Sequence, residues 1–395
     1  MTRRPTATRG AVVVPAGHGG SSLACLRSLG RRGIRTIGVA SDAGAGALRS
    51  RYCDEAVVLP SPSDDLDAYA DGLLELAARP EVVTVVPLYE PDAYVLAARR
   101  DEFAAHVATP WPTLDVVERA QDRLQLLDAA EAAGVPTPES GLLDDWDRWD
   151  RRTVVKPRYT MRVEDGRAAY GSVHFPEPGV EPDRERLVAE MGHVPLVQEY
   201  VPGDAEHGFF ALCEGGVPVA TFQHRRVRSY TYAGGASVYR RSVRNDQLQA
   251  LGTALLAELD WDGPAMVEVK RDPRDGRFRL VEVNPRFWGS LPLAVQAGVD
   301  FPHAYYRLAT GEPTGPPPRY EVGVGCHVLR GEASYLHSLL RYDYPHVDRP
   351  SLGAALLAIG ASLLTQPHFD YLSADDPWPF VRDLVDATAR TARSA

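Results

Sequence analysis

Through the first hundred residues, short apolar runs alternate with segments whose apolar positions recur every three to four residues. Ala11-Val12-Val13-Val14-Pro15 is a β-branched run, followed by a glycine-rich turn, Gly17-His18-Gly19-Gly20, and a helical pattern that sets Leu23, Leu26 and Leu29 near one face. Gly33 closes that helix, and residues 34–40 predict the next strand. Residues 57–59, 66–78 and 82–87 repeat the scheme as strand, helix and strand. Strands alternating with helices predict a parallel sheet with right-handed crossovers.

Further on the rhythm changes. Residues 116–133 predict one amphipathic helix, stopped by Gly134-Val135-Pro136-Thr137-Pro138. Val154-Val155 begins a strand, and strands and turns alternate to about residue 244. A helix is expected over 248–259, then a hairpin of strands 265–270 and 278–283 around the turn Asp272-Pro273-Arg274-Asp275-Gly276. Residues 311–318 read as a Gly/Pro linker, and 320–395 as a distinct C-terminal region. Its apolar stretch, 352–364, falls short of the ~20 residues that span a bilayer and is expected to be a buried helix.

A chain of 395 residues is too long for one ordinary core and predicts two or three domains. With 44% hydrophobic and 24% charged residues it has the composition of a soluble globular protein. A net charge of -10 with no long basic run argues against nucleic acid, and no membrane segment or signal peptide is apparent. The four cysteines lack metal-site or CxxC spacing, which fits reduced thiols and a cytoplasmic location. Nearly all cations are arginine; the only lysines are Lys156 and Lys270. A compact ammonium reaching a phosphate oxygen is a place where arginine does not substitute.

The hairpin carries the most chemistry. Glu282 and Asn284 are two apart, so on a strand they share a face, and Glu268 on the adjoining strand can join them. Three oxygen donors on one face suit Mg²⁺, with phosphates and water completing an octahedron. Arg286 lies one further step along and can meet a transferring phosphoryl group. The bland alternative is an exposed, charged strand face.

Glu268 with Glu282-Val283-Asn284-Pro285-Arg286 resembles the metal-binding end of ATP-grasp enzymes, including the carbamoyl-phosphate synthetase large subunit and its short relatives, over roughly residues 11–299. The resemblance implies an α/β and α+β multidomain fold: a pre-ATP-grasp parallel α/β domain (1–115), an ATP-grasp N-terminal lobe (116–195), a C-terminal lobe with the metal site (196–318) and a C-terminal extension (319–395). It implies that Glu268, Glu282 and Asn284 hold Mg²⁺, with Mn²⁺ as a substitute, and that Arg286 contacts phosphate or acyl phosphate. Asp122-Arg123 resembles the place where a basic residue approaches the phosphates. Val154-Val155-Lys156-Pro157 resembles the strand whose lysine touches ATP. Gln198-Glu199-Tyr200-Val201-Pro202-Gly203 resembles the adenine hinge, with backbone groups of Glu199 and Val201 on the base and Glu206 on the ribose.

One stretch departs from the family. The phosphate-covering flap is commonly glycine-rich, but here the chain reads Arg158-Tyr159-Thr160-Met161-Arg162-Val163-Glu164-Asp165-Gly166 and then Tyr170-Gly171-Ser172. Arg158, Arg162 and Ser172 are the candidates to cover phosphate, against a solvated loop. Arg226 and Arg228, two apart in His224-Arg225-Arg226-Val227-Arg228, are expected to point one way on a strand. A pair of guanidinium forks suits a carboxylate or acyl phosphate; a surface ion-pair strip is the alternative. The turn at 17–20 lacks GxGxxG spacing and fits the substrate cleft of the first domain better than a dinucleotide site. The implied activity is ATP-dependent ligation of a small-molecule carboxylate to an amine through an acyl phosphate. Rival readings are phosphorylation of a small carboxylate or carbamate without amide formation, and a non-catalytic ATP-binding module. Homodimerisation is left open.

Overall fold

Four strands, β1 (Ala11–Pro15), β2 (Thr36–Ala40), β3 (Glu55–Val58) and β4 (Val82–Val85), form a parallel sheet in the order β3-β2-β1-β4 in the computed structural model of the chain. The structure describes residues 10–17, 19–203, 206–344 and 347–385; the basic segment 1–9, His18 and residues 386–395 lie outside them. Every residue of β1 and β2 is buried, as an inner parallel pair covered on both faces requires. β3 alternates half-buried and exposed positions, and its edge is charged: Glu55 pairs with Arg35 and Arg79. Helices α1 (Gly20–Gly30), α2 (Leu66–Ala77), α3 (Glu90–Ala98) and α4 (Arg100–Ala104) complete the alternation read from the sequence.

The single helix expected over 116–133 is two. α5 (Leu114–Gln121) stops at Asp122, and α6 (Arg123–Ala132) starts there. Asp122 leaves helical geometry (φ -79, ψ 104) and its carboxylate accepts from the Leu124 amide, so it caps the second helix while breaking the first. The carboxylate also pairs with Arg158 at 2.6 Å.

A small lobe follows, with β5 (Ser140–Leu142), β6 (Thr153–Lys156), the hairpin β7 (Arg162–Glu164) and β8 (Arg167–Ala169), α7 (Arg184–Met191) and β9 (Leu196–Glu199). β9 lies between β5 and β6 and runs antiparallel to both. The expected boundary at 195/196 therefore falls just before a strand of this sheet. α7 was read as strand and turn. Its signals are local: Asp183 accepts from the Arg186 amide at the start, and Gly192 is left-handed (φ 68) at the end. β7 and β8 join through Asp165 and Gly166, both at positive φ (48 and 72), which gives a tight hairpin where the sequence showed only a charged loop. The hairpin leans on the first domain, with Leu66 N–H donating to Gly166 O (2.8 Å).

The largest sheet is antiparallel in the order β14-β13-β10-β11-β12-β15. It comprises β10 (Glu206–Glu214), β11 (Val217–Thr231), β12 (Gly234–Ser242), β13 (Gly263–Arg271), β14 (Phe278–Asn284) and β15 (Gly325–His327), with α8 (Asp246–Glu258) between β12 and β13. One face, carrying Phe209, Val267, Val269 and Leu280, packs on α6 and α8. The alternate residues face the other way: Phe210 and Phe222 join a core shared with Leu23 and Leu26 of α1 and with α9 (Leu291–Gln296) and α10 (Phe301–Ala309). This shared core fastens the first domain to the large sheet.

The C-terminal region is built into the rest. β15 is an edge strand of the large sheet, and α11 (Leu329–Arg341) packs on β11. Beyond α12 (Leu352–Thr365), Asp376 is fully buried against the first domain and accepts from Arg27 Nε (2.9 Å), Ser50 Oγ (2.7 Å) and the Arg51 amide (2.9 Å). α12 corrects the sequence reading. It was expected to be buried, yet only Ala355, Ile359 and Ser362 are; Leu357 and Leu364 are 76% and 85% exposed.

Candidate active site

Glu268 and Glu282 are directly opposite across β13 and β14, and Met266 is opposite Asn284. Opposed residues share a face, so Glu268, Glu282 and Asn284 point to the same side of the sheet. Asn284 Nδ2 donates to Glu282 Oε1 (3.1 Å), while Asn284 Oδ1 accepts from Arg286 Nη2 (3.2 Å). Which amide atom points where follows from the hydrogen-bond network and reverses by a simple flip.

The cations arrive from three other elements. Arg123, the first residue of α6, sits 3.5 Å from Glu282 and donates to Pro157 O (2.7 Å). Lys156 ends β6 and is buried. Burial chiefly, then the Arg123 charge, lowers its pKa to about 8, against the opposing pull of Glu282 and Glu268. Arg226 on β11 bonds Glu206 and lies 3.4 Å from Glu268. Burial, with Glu282 and Glu206 nearby, pushes Glu268 up to about 7 despite Arg226. Burial alone would raise Glu282 too, but Arg123, Asn284, Lys156 and Arg286 hold it below its ordinary value. Two opposed, half-buried carboxylates, one of them with its pKa raised, form a setting that a divalent cation would relieve. Among the described residues no group of three or more His, Cys, Asp or Glu is arranged for a metal; this donor set is two carboxylates and an amide.

The stretch from Gln198 to Gly203 begins in β9, the middle strand of the small-lobe sheet, and leads on toward β10 of the large sheet. Gln198 on β9 shares a cleft with Arg123, Leu126, Leu196, Leu280 and Val281, and its Nε2 donates to Ser140 Oγ (2.9 Å). The Glu199 amide is committed to Glu139 O (2.8 Å), and its carboxylate pairs with Arg274. Val201 is buried, and Lys270 lies over the Tyr200 ring at 4.8 Å.

Arg226 and Arg228 do not act as a pair. The register between β11 and β12 shifts between them, so two residues of chain no longer return to the same face. Arg228 turns toward the C-terminal helices: its Nε and Nη2 both donate to Glu332 (2.8 Å each), and Nη2 also reaches Ser362 Oγ (2.7 Å). Its guanidinium stands over the Tyr239 ring, 4.5 Å from the centroid. The flap candidates are dispersed too, with Arg158 on Asp122, Arg162 on Glu164 and Ser172 exposed.

Glu90 was missed. At the start of α3, just past the carboxyl end of β4, it pairs with Arg286, whose Nε donates to Glu90 Oε1 (2.6 Å). Its position was a signal, because ligands of open α/β sheets bind at the carboxyl ends of the strands.

Residues 195–330 match the family described as "ATP-grasp in the biosynthetic pathway with Ter operon". The ATP-grasp domain is matched within residues 195–330, about a third of the chain. Over 219 residues it is 28% identical to the carbamoyl phosphate synthase large chain of Methanoculleus marisnigri, a match covering 50% of this chain and 20% of that one. The match thus spans about a fifth of the relative's length. The ADP complex of PurK, N5-carboxyaminoimidazole ribonucleotide synthetase, aligns with a TM-score of 0.61 at 15% identity, over 91% of this chain and 98% of that one. An L-amino acid ligase from Bacillus licheniformis aligns with a TM-score of 0.56 at 16% identity, over 78% and 77% of the two chains. At these identities the likeness to the solved structures is one of fold. It extends well beyond residues 195–330 and includes the parallel N-terminal sheet.

Proposed function

We propose that this chain is an ATP- and Mg²⁺-dependent ligase that activates a carboxylate as an acyl phosphate for attack by an amine. The observation that carries the reading is the shared face of Glu268, Glu282 and Asn284, with Lys156, Arg123 and Arg286 converging on it. Glu268, Glu282 and Asn284 would hold Mg²⁺, which supplies charge neutralisation for a transferring phosphoryl group. Lys156 and Arg123 would meet phosphate oxygens, and Arg286 the carboxylate or its acyl phosphate. A carboxylate oxygen attacks the γ-phosphorus and ADP leaves; the amine nitrogen then attacks the acyl carbon, and phosphate and a proton leave. No side chain becomes covalently attached. Gln198, Glu199 and Val201 would frame adenine, and Glu206 the ribose. The β7–β8 hairpin would exclude water from the intermediate.

The L-amino acid ligase neighbour supports amide formation. The carbamoyl phosphate synthase relative supports a second reading, phosphorylation of a carboxylate or carbamate without a new amide. Incubating the protein with ATP, Mg²⁺ and pooled carboxylates and amino acids decides between them. ADP release with a new amide, seen by mass spectrometry, is the expected result; ADP with no new bond supports the second reading. Release of ADP that no carboxylate stimulates would sink both.

The two arginines of β11 are expected to behave differently. Arg226→Ala is expected to lower turnover and to cost less stability than Arg228→Ala, because its partners Glu206 and Glu268 keep more contact with water than Glu332. Arg228→Ala takes the guanidinium fork from the buried Glu332, which among the described residues keeps only His327 Nδ1 (2.7 Å), and is expected to cost about 3 kcal/mol. Denaturant melts and ADP assays on both variants check this, and equal effects of the two would remove the assignment.

A further inference from the structure

α12 is a 14-residue helix, Leu-Gly-Ala-Ala-Leu-Leu-Ala-Ile-Gly-Ala-Ser-Leu-Leu-Thr, without one charged side chain. Its inward stripe, Ala355, Ile359 and Ser362, is spaced four and three apart and packs on Tyr335 and Leu339 of α11. A surface helix ordinarily turns polar residues outward. Here the opposite stripe is Gly353, Leu357, Gly360 and Leu364, spaced four, three and four apart, which is a second helix-packing seam. Leu357 is 76% exposed and Leu364 85%, and Leu356 and Leu352 flank them at 51% and 40%. Among the described residues nothing lies within 4 Å of where a Cβ on Gly353 or Gly360 would stand.

We propose that this seam is the interface of a homodimer, in which α12 packs antiparallel against α12 of a second copy. The order of large and small residues selects that partner. In an antiparallel pair related by a two-fold axis at the level midway between Ala358 and Ile359, residue 357 of one copy meets 360 of the other, and 364 meets 353. Each exposed leucine then projects into the open space over a glycine. Parallel packing would set leucine on leucine and glycine on glycine. A homodimer contact about a two-fold axis uses the same patch twice, so a patch that complements itself is what such a contact requires. With no charge on the seam, side-chain size sets the register.

Other occupants fit less well. The helix is too short to span a bilayer, which takes ~20 residues. A chain of net charge -10 has little to draw it to anionic lipid. A charged peptide finds no partner on the seam. A single helix pair buries less than the ~800 Å² per partner of a standard stable interface, so a concentration-dependent equilibrium is expected.

Sedimentation velocity of the full chain across a hundredfold dilution tests the proposal. The expected result is a monomer–dimer equilibrium that Leu357→Arg and Leu364→Arg each shift at least tenfold toward monomer, with circular dichroism and thermal melting unchanged. Gly360→Leu alone should also give monomer, because it closes the space that Leu357 needs. Combining it with Leu357→Ala should restore dimer, since large and small have then exchanged places. A wild-type chain that stays monomeric to hundreds of micromolar overturns the proposal, as does a dimer indifferent to both arginine variants. Flotation of the wild-type chain, but not Leu357→Arg, with phosphatidylcholine/phosphatidylglycerol vesicles would overturn it in favour of a membrane.

Discussion

Replacing Glu282 with alanine is expected to lower ATP turnover about 10²–10³-fold, the scale on which loss of one electrostatic group in an active site is felt. Glu282 stands opposite Glu268, accepts from Asn284 and lies 3.5 Å from Arg123. Among the described residues it touches both a proposed metal donor, Asn284, and a cation proposed to meet phosphate, Arg123. Its removal takes the paired carboxylate from Arg123, but it relieves repulsion of Glu268, which stays as a counter-charge for Lys156, so the effect on stability should be small beside the effect on rate. Two measurements separate the roles. ADP release reads turnover, and calorimetric titration of ATP at rising Mg²⁺ reads the metal, whose half-saturating concentration should move upward in Glu282→Ala and in Glu282→Gln. Unchanged turnover in a folded variant would remove the metal assignment, and an unchanged Mg²⁺ dependence would leave Glu282 a purely structural partner of Arg123.

The second large effect is on stability. Asp376→Ala should cost about 3–5 kcal/mol, the range for breaking a buried ion pair from one side. Asp376 is 0% exposed and receives three donors from the first domain, so alanine strands the Arg27 guanidinium, the Ser50 hydroxyl and the Arg51 amide together. Arg27 keeps its bonds to the backbone oxygens of Asp370 (3.2 Å) and Tyr371 (2.7 Å), which limits the loss. Asp376→Asn keeps one acceptor oxygen and the shape, and should cost less than alanine. Denaturant unfolding measures both variants, and limited proteolysis should show earlier cleavage beyond α12 in the alanine form. A change below about 0.5 kcal/mol, the usual range of an unremarkable surface substitution, would mean that the C-terminal segment is not fastened there.

Position in the chain explains which parts of the site could be read early. The hairpin of β13 and β14 was legible because its two strands are joined by a short turn, and side chains two apart on a strand share a face by backbone geometry alone. Lys156 and Gln198 were legible because each sits in a short, ordered motif beside its strand. The break at Asp122 could have been seen as an N-cap, but the apolar spacing continues through it and suggested one helix. At Arg226 and Arg228 the same two-residue rule failed, because a shift of register in one strand pair overrides it and leaves no mark in the local sequence.

What the sequence by itself determined is therefore the set of elements and the chemistry carried within each: alternating strands and helices, then a hairpin bearing two carboxylates and an amide. Only the tertiary structure decided which elements meet. Glu90 and Arg286 are 196 residues apart, and Arg27 and Asp376 are 349 apart. Such contacts depend on how whole domains close on one another, a long-range packing that no local periodicity encodes. The outward face of α12 belongs to the same class, since an apolar helix reads alike whether its own chain or a second copy covers it.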